Sequence, residues 1–155
     1  MSYMEVPEFK FLVNDDLDPS FLPTRGDSKS TGWDVKAAVD IHIVHTQLVK
    51  IPLGIRCFAP PGWWLELRPR SSTFAKLGLS ALYGVIDESY EGELIFACQA
   101  VLTGIHISKG DRIGQLVPFR RQEMKVSSVT EEEFKELCAA RGLERGAGGF
   151  GSTGK

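Results

Sequence analysis

Short apolar runs, several of them alternating with polar residues, recur along the chain from Phe9 to about Val126. The clearest are FKFLV, DIHIV, LVKIPLGIRCF, WWLELRP, ELIFACQAVL and RIGQLVPF, and Gly, Pro, Asp and Ser separate them. A period of two is typical of β-strands that bury one face. No helical pattern long enough for a crossover between parallel strands lies between the runs. The sequence therefore predicts an all-β sandwich or barrel with Greek-key connections.

One helix is predicted near the C-terminus, over about residues 130–141. Thr130 and Glu133 have the spacing of a capping box, and the apolar residues at 134, 137 and 138 then share one face. Glycine dominates the sequence beyond the helix. Because glycine loses the most backbone entropy on ordering, residues 145–155 are expected to form a mobile arm.

Length and composition are those of an ordinary globular protein. The 155 residues fit one domain over 1–155, with a β core over about 1–128. A hydrophobic fraction of 43% and a charged fraction of 25% argue against overall disorder. Three distant cysteines without a C-x-x-C pair are expected to be buried free thiols rather than zinc ligands.

Charge and hydropathy exclude several classes of function. A net charge of −2 provides no broad positive field, so no nucleic-acid partner is expected. A phosphate ligand would need a local group of Arg side chains and backbone amides. No stretch approaches the roughly 18 apolar residues of a membrane span, and the N-terminus lacks a signal-peptide pattern. No membrane association is therefore expected, and the predicted location is cytoplasmic.

The segment RGAGGFGSTG, Arg145 to Gly154, carries the strongest chemical signal. Its glycines let backbone N–H groups approach phosphate oxygens, while Ser152 and Thr153 add hydroxyl donors. Arg145 adds a forked positive charge, and Phe150 can stack on a base. These components suit a nucleotide. A flexible linker is the alternative, although linkers seldom contain an Arg and an aromatic residue.

Two internal segments also carry candidate chemistry. PRSS follows the WWLEL run, so Arg70 and Ser71 should lie at a strand end and could contact phosphate, unless Arg70 only solubilises the surface. In GVIDESYEGE, Asp87 could orient or deprotonate a water for in-line attack, and Tyr90 could lie under a sugar and exclude a 2'-hydroxyl. Taken alone, this segment could equally be a turn Asp with a half-buried Tyr.

Two more segments look ordinary when each is taken alone. STGWDV, from Ser30, could be only a turn, and GDRIGQLV, from Gly110, is typical of a buried strand. Gln115 is the one amide side chain in that strand, and it would need a hydrogen-bond partner.

Taken in order, STGWD, PRSS, GVIDESYEGE, GDRIGQLV and RGAGGFGSTG resemble the five ordered motifs of the trimeric dUTPase family. They extend over most of the chain, and chance agreement of all five is implausible. The resemblance implies a distorted jelly-roll β fold of the β-clip type and a homotrimer with active sites at subunit interfaces. It also implies magnesium-dependent hydrolysis of dUTP to dUMP and pyrophosphate, which keeps uracil out of DNA and supplies dUMP for dTTP synthesis.

The resemblance further implies a role for each matching residue. Asp87 would hold the attacking water and contact the sugar 3'-hydroxyl, and Tyr90 would select deoxyribose. Gly84 and Ile86 would lie along the base and sugar, with Phe150 closing over the uracil. The phosphates would be bound by Arg70, Ser71, Ser72, Gln115, Arg145, Ser152 and Thr153.

Magnesium is the implied cofactor, and the triphosphate itself would supply most of its ligands. Asp34 would lie near the water shell of the ion. This arrangement is typical of protein-bound Mg²⁺, which usually keeps several water ligands in addition to substrate phosphates.

Among the departures from the family pattern, two segments bear on the site. Ser72, Thr73 and Phe74 replace a small G-L-A-like continuation of the second motif, a change that could alter packing beneath the site. The turn from Ala81 to Gly84 is bulkier than the glycine-rich or Asn-bearing turns that hold the base in relatives. This second departure bears on uracil specificity rather than on phosphate chemistry.

Two other functions are weighed against this one. A dCTP deaminase shares similar second and third motifs but needs a glutamate proton shuttle in the following strand, where this chain has Ala97. The second alternative is a regulatory protein whose nucleotide-bound arm acts as a switch for a protein partner, a role that the resemblance to phage-encoded relatives implies. Because every chemical residue is present, such a role would add to catalysis rather than replace it.

Overall fold

A computed structural model describes residues 5–44, 47–142 and 146–150. Ten strands and two α-helices form among these residues, together with a single 3-10 turn at Pro19–Phe21. They are β1 Lys10–Val13, β2 Trp33–Lys36, β3 Ile41–Ile43, β4 Leu48–Phe58, β5 Trp63–Pro69, α1 Ser71–Ala75, β6 Leu79–Ala81, β7 Gly84–Ile86, β8 Glu93–Ala100, β9 Ile105–Ile107, β10 Arg112–Arg120 and α2 Glu131–Ala140.

The strands form three antiparallel sheets. One sheet has the order β1-β4-β8-β6, a second has the order β2-β10-β5-β7, and β3 pairs with β9 in the third. The predicted mostly-β, jelly-roll-like fold is confirmed, and all six sequence runs contain a strand. The sheets do not close into a barrel. Two four-stranded sheets facing one core are closer to a sandwich.

The core forms where the alternating residues of the two larger sheets meet. In β8, Leu94, Phe96 and Cys98 are buried while the residues between them are more exposed. Leu65 and Leu67 of β5 belong to the same hydrophobic cluster. Full burial of one such side chain contributes about 1.5–3 kcal/mol, so this alternation supplies the main drive for the two sheets to pack.

The chain divides into two compact units, Met1–Arg121 and Gln122–Lys155. The sequence prediction of a single domain over 1–155 stays a prediction. All ten strands belong to the first unit and α2 to the second. Among the described residues no helix is both long and apolar enough to cross a membrane.

The predicted C-terminal helix is confirmed as α2. The hydroxyl of Thr130 accepts a hydrogen bond from the Glu133 N–H at 3.2 Å, and the Glu133 carboxylate accepts one from the Thr130 N–H at 2.7 Å. This reciprocal pair is the capping box that the sequence predicts. Gly142 follows the helix with a φ of 69°, a conformation that suits glycine after a helix end.

Glu88 ties the loop after β7 to the turn between β4 and β5. Its Oε2 accepts a hydrogen bond from the Gly62 N–H at 3.1 Å and another from the guanidinium of Arg121. The Gly62 N–H, and after it Arg121, hold the pKa of Glu88 below its ordinary value of 4.5. A carboxyl group whose pKa is lower in the folded than in the unfolded protein stabilises the fold at pH values above its unfolded-state pKa. This contribution is lost as the pH falls through the folded-state pKa.

We expect Glu88→Gln to lower the melting temperature at pH 6, because the substitution removes the charge that Arg121 contacts. The difference from the wild type should shrink as the pH is lowered from 4.5, since the wild-type carboxylate is then protonated as well. Thermal melts from pH 6 to pH 3 at one protein concentration measure this. Glu91→Gln, an exposed position in the same loop, should melt like the wild type at pH 6. A Glu88→Gln deficit that stays constant over the whole range would contradict the assignment.

Candidate active site

Strand β10 brings three of the sequence motifs together. It pairs with β2 on one side, where Gln115 lies opposite Asp34, and with β5 on the other, where Gly114 lies opposite Pro69. Arg70 directly follows Pro69. The first, second and fourth motifs therefore meet at one end of this sheet, as the predicted phosphate-binding role requires.

An ion-pair group occupies this end of the sheet. The Nε atom of Arg70 lies 2.9 Å from one carboxylate oxygen of Asp34, and Arg112 Nη1 lies 3.9 Å from the other. Arg70 Nη1 also donates to the Arg112 carbonyl at 3.4 Å. Asp34 is mostly buried, whereas the Arg112 side chain is about half exposed. Two guanidinium groups around one carboxylate leave a net positive charge that faces solvent and suits an anion. We call Asp34, Arg70, Arg112 and Gln115 the phosphate cluster.

Gln115 is held in place by its neighbours. Its side-chain N–H group donates to the Pro69 carbonyl at 3.0 Å. Gly32 makes room for this arrangement, because a Cβ atom there would lie 1.9 Å from Gln115 Oε1 and 2.7 Å from Cδ. The first motif thus needs glycine at position 32 so that the amide of the fourth motif can lie across it.

Ser71 and Ser72, two predicted phosphate ligands, lie in the first turn of α1. Ser71 is exposed and Ser72 half-buried. The third residue of the helix, Thr73, is completely buried. The five-residue helix fixes the backbone just after Arg70, at the same sheet end as the phosphate cluster.

Asp87 and Tyr90 lie in the loop between β7 and β8. Asp87 is exposed and follows β7 directly, and its carbonyl accepts a hydrogen bond from the Tyr90 N–H at 3.0 Å. The Tyr90 hydroxyl donates to the Glu93 carbonyl at 2.8 Å. A Cβ atom on Gly92 would lie 2.5 Å from the Tyr90 oxygen, so glycine is required for the ring to lie there. These contacts fix Asp87 and Tyr90 in one tight turn.

Gly84 and Ile86, the predicted base and sugar contacts, belong to β7. Gly84 lies opposite Leu67 and Ile86 opposite Leu65. The Ile86 side chain is partly buried and packs against the core. Beside them, Leu82 and Tyr83 are both largely exposed.

Glu93, beyond the turn, is engaged in structural contacts. One oxygen accepts hydrogen bonds from the Asn14 side chain at 3.2 Å and from the Gly54 N–H at 3.0 Å. Glu93 therefore joins the start of β8 to β4 and to the end of β1. Ala97, at the position where a deaminase needs its glutamate, lies opposite Lys50 in the β8–β4 pairing.

An open cleft of about 580 Å³ adjoins Asp87. Aromatic and aliphatic side chains form much of its wall, and Glu88 and Arg121 contribute charge. The lining residues are Phe58, Ala59, Pro61, Trp64, Val85, Asp87, Glu88, Ser89 and Arg121. A mostly apolar cleft with one exposed carboxylate can hold a flat ring and place a proton acceptor beside it.

Asp87 and the phosphate cluster lie at different ends of β5. Ile86 pairs with Leu65 near the start of this strand, and Arg70 follows its end. Five residues of strand separate Leu65 from Arg70, which at about 3.3 Å per residue is about 17 Å. The backbone that leads to Asp87 and the backbone that begins at Arg70 are therefore attached to opposite ends of β5.

The predicted arm residues give less information. Phe150 belongs to the second unit, where it is fully exposed and has a φ of 50°. The predicted phosphate ligands Arg145, Ser152 and Thr153 lie outside the described residues.

The described cysteines are free thiols, but Cys57 and Cys138 are only half-buried rather than buried as expected. Cys98 is buried and Cys57 half-buried, and burial raises the pKa of each thiol to about 11. A thiol with such a pKa is protonated at neutral pH and is a poor nucleophile.

The donor set bears on the expected metal. Within the part of the chain that the structure describes, no group of three or more His, Cys, Asp or Glu side chains is placed to hold an ion. Asp34 is the carboxylate of the phosphate cluster, and a carboxylate has more acceptor sites than its two Arg partners use. These residues fit a magnesium ion that takes most of its ligands from substrate phosphates and water.

Three residues of the site escaped the sequence analysis. Arg112 lies inside the fourth motif, and its positive charge at the start of the predicted strand could have indicated a contact with an anion. Glu88 and Thr73 act through contacts with residues 26 and 40 positions away in the chain. No local pattern could have indicated those contacts.

Comparison with known proteins agrees with the motif assignment. The family model described as dUTPase matches residues 18–154. The deoxyuridine 5'-triphosphate nucleotidohydrolase of Paramecium bursaria Chlorella virus 1 is 33% identical over 148 residues, which cover 92% of this chain and 96% of the viral protein. The human mitochondrial enzyme of the same name is 34% identical over 134 residues, 86% of this chain, which spans only half of the human protein.

The fold agrees as well. A mutant dUTPase of Staphylococcus bacteriophage 80alpha, solved with dUpNHpp, superposes with a TM-score of 0.77 at 22% identity, and the match covers 96% of this chain and 99% of that one. The family model extends over residues 18–154, the viral relative covers 92% of the chain, and three of the five motifs meet at one end of a sheet. The chain belongs to the dUTPase family.

Proposed function

We propose that this chain hydrolyses dUTP to dUMP and pyrophosphate at a composite site. One subunit would supply Asp87 and Tyr90, and a neighbouring subunit would supply the phosphate cluster. The observation that carries the proposal is the phosphate cluster itself, in which β10 joins Asp34, Arg70 and Gln115. The length of β5, about 17 Å from Leu65 to Arg70, separates the strand end near Asp87 from this cluster and supports a homotrimer with sites at its subunit interfaces.

The phosphate cluster is suited to binding a triphosphate. Arg70 uses Nε for Asp34 and one Nη for a carbonyl, and most of its five N–H donors are left for phosphate oxygens. Gln115, Ser71 and Ser72 would add neutral donors, with Arg112 as a second cation. Arg145, Ser152 and Thr153 would close over the outer phosphates. Such charge-assisted contacts position the α-phosphate and neutralise the charge that develops on the pyrophosphate leaving group.

Asp87 is proposed as the base. Its carboxylate would accept a proton from a water as that water attacks the α-phosphorus in line with the leaving pyrophosphate. Tyr90 would pack under the deoxyribose, where its ring leaves no room for a 2'-hydroxyl. Gly84, Ile86 and Phe150 would enclose the uracil. The exposed Leu82 and Tyr83 beside Gly84 make this turn the place where base specificity would be set.

Magnesium is proposed as the cofactor, with Asp34 reaching the ion through a water. When bound, the ion would neutralise part of the triphosphate charge. The cellular role that fits this activity is the removal of dUTP before it enters DNA, together with the supply of dUMP for dTTP synthesis. A regulatory protein partner stays a prediction, and recovery of one partner in a pull-down only when dUpNHpp is present would support it.

Substitution of Gly32 tests the phosphate cluster. Gly32→Ala should lower kcat/KM for dUTP by about tenfold or more, because the added Cβ displaces Gln115 and removes one donor to a charged ligand. Gly26→Ala is the matched control, since its Cβ would meet only Ser30 Oγ, at 3.8 Å. Pyrophosphate release in the presence of Mg²⁺ measures both. Equal activity of the two variants would contradict the role of Gln115.

Substitution of Asp87 tests the base. Asp87→Asn should reduce kcat by about 10²–10⁴ because the amide accepts no proton, while the Kd for dUpNHpp should stay close to the wild-type value. Asp40→Asn, the same change at an exposed position, should leave kcat unchanged. Near-normal turnover by Asp87→Asn would exclude Asp87 as the base. Assaying dCTP with ammonia detection in the same experiment tests the deaminase alternative.

Mixed trimers test the composite site. Asp87→Asn and Arg70→Ala subunits, each nearly inactive alone, should regain activity when they are refolded together. If Asp87 and Arg70 of one site come from different subunits, roughly a quarter of the sites in an equal random mixture have both residues intact. If they come from the same subunit, every site stays defective and no activity returns. Size-exclusion chromatography with light scattering confirms that both preparations form trimers.

A further inference from the structure

Thr73 is the one fully buried polar side chain among the described residues of the chain. It lies in α1, two positions after Ser71, and its side chain points away from solvent. A buried hydroxyl costs free energy unless it is hydrogen-bonded. Its contacts therefore indicate why a polar residue is present at this position.

The Thr73 hydroxyl bridges two backbone segments. Its Oγ1 lies 3.0 Å from the Arg70 N–H and 2.7 Å from the Ile113 carbonyl. An N–H group can only donate and a carbonyl can only accept, so the hydroxyl accepts from Arg70 and donates to Ile113. In addition, the Thr73 N–H donates to the Arg70 carbonyl at 2.9 Å. Both polar groups of the Arg70 backbone are thus bonded to Thr73.

The second anchor, Ile113, lies at an irregularity of β10. The register of β10 against β2 shifts between Arg112 and Gly114, which places Ile113 in a β-bulge. Bulges redirect side chains next to functional sites. Here Arg112 lies on one side of the bulge and Gln115 two residues beyond it. The hydrogen bond from Thr73 therefore fixes the bulge relative to Arg70.

We propose that Thr73 is a positioning residue for the phosphate cluster, holding the Arg70 backbone against the β10 bulge so that Arg70, Arg112 and Gln115 converge on one anion. This inference rests on the proposed function for its ligand. Thr73 contacts no substrate itself and acts through Arg70 and Ile113. A residue of similar size without the hydroxyl would fill the same space, but it would leave the Arg70 N–H and the Ile113 carbonyl without this partner.

The test uses the full chain with two substitutions. Thr73→Val keeps the shape and removes the hydroxyl, and it should raise the Kd for dUpNHpp about tenfold. Thr73→Ser keeps the hydroxyl and removes a buried methyl group, so it should lower the melting temperature while leaving the Kd within about twofold. Ile107→Val, a buried change in β9, serves as the control for lost stability alone and should bind like the wild type.

A double-mutant cycle separates positioning from general destabilisation. If Thr73 acts through Arg70, Thr73→Val should weaken dUpNHpp binding much less in an Arg70→Ala background than in the wild type. Hydrogen exchange gives a readout without ligand, because the Arg70 amide should lose protection in Thr73→Val and keep it in Thr73→Ser.

The outcomes are distinct. Equal loss of affinity in both backgrounds, or weak binding by a folded Thr73→Ser, would overturn the proposal. If Thr73→Val does not fold, the Kd of the folded Thr73→Ser variant for dUpNHpp decides whether the hydroxyl has the positioning role. If the wild-type protein fails to bind dUpNHpp, the proposed function fails instead, whereas wild-type binding with an unaffected Thr73→Val refutes only the positioning role.

Discussion

The pairing of β10 with both β2 and β5 is the constraint on which the phosphate end of the site depends. On one side this strand places Gln115 opposite Asp34 of β2. On the other side it places Gly114 opposite Pro69 of β5, directly before Arg70. Because side chains alternate along a strand, a slip of one residue would turn Gln115 away from Gly32 and separate Asp34 from Arg70. The buried residues of the same strand, among them Ile113 and Leu116, oppose that slip since it would expose them. Core packing and site geometry are thus held by one register.

The length of β5 imposes a second constraint. A strand is stiff and extended, so residues attached to its two ends cannot approach each other within the same sheet. Asp87 belongs to one end and Arg70 to the other. The carboxylate that is suited to activate a water and the guanidinium that is suited to bind phosphate are therefore kept apart in each chain. Under the proposed function, activity would depend on assembly, since a lone subunit would have only parts of a site.

The long elements could be predicted from the sequence, and the short ones could not. Strands such as β4 and β8 carry enough alternating positions for the pattern to be recognised, and α2 has its capping box. The three-residue strands β6, β7 and β9 and the five-residue helix α1 are too short to show a period. They form because neighbouring strands and the core hold them. Position within a motif was not enough to single out a residue, since Arg112 and Glu88 lie in motifs and were missed. Thr73 and Glu88 act through contacts distant in the chain that no local pattern reveals.

The sequence by itself determined the β class, the capped helix and the family, because these depend on local periodicity and on residue types at fixed spacings. Only the tertiary structure decided which of the predicted residues lie together. It joined Asp34, Arg70 and Gln115 through β10, added Arg112, and set Asp87 at the far end of β5. The physical reason is that strand pairing brings together residues distant in the chain, and its register is chosen by burial of the whole core rather than by any one segment.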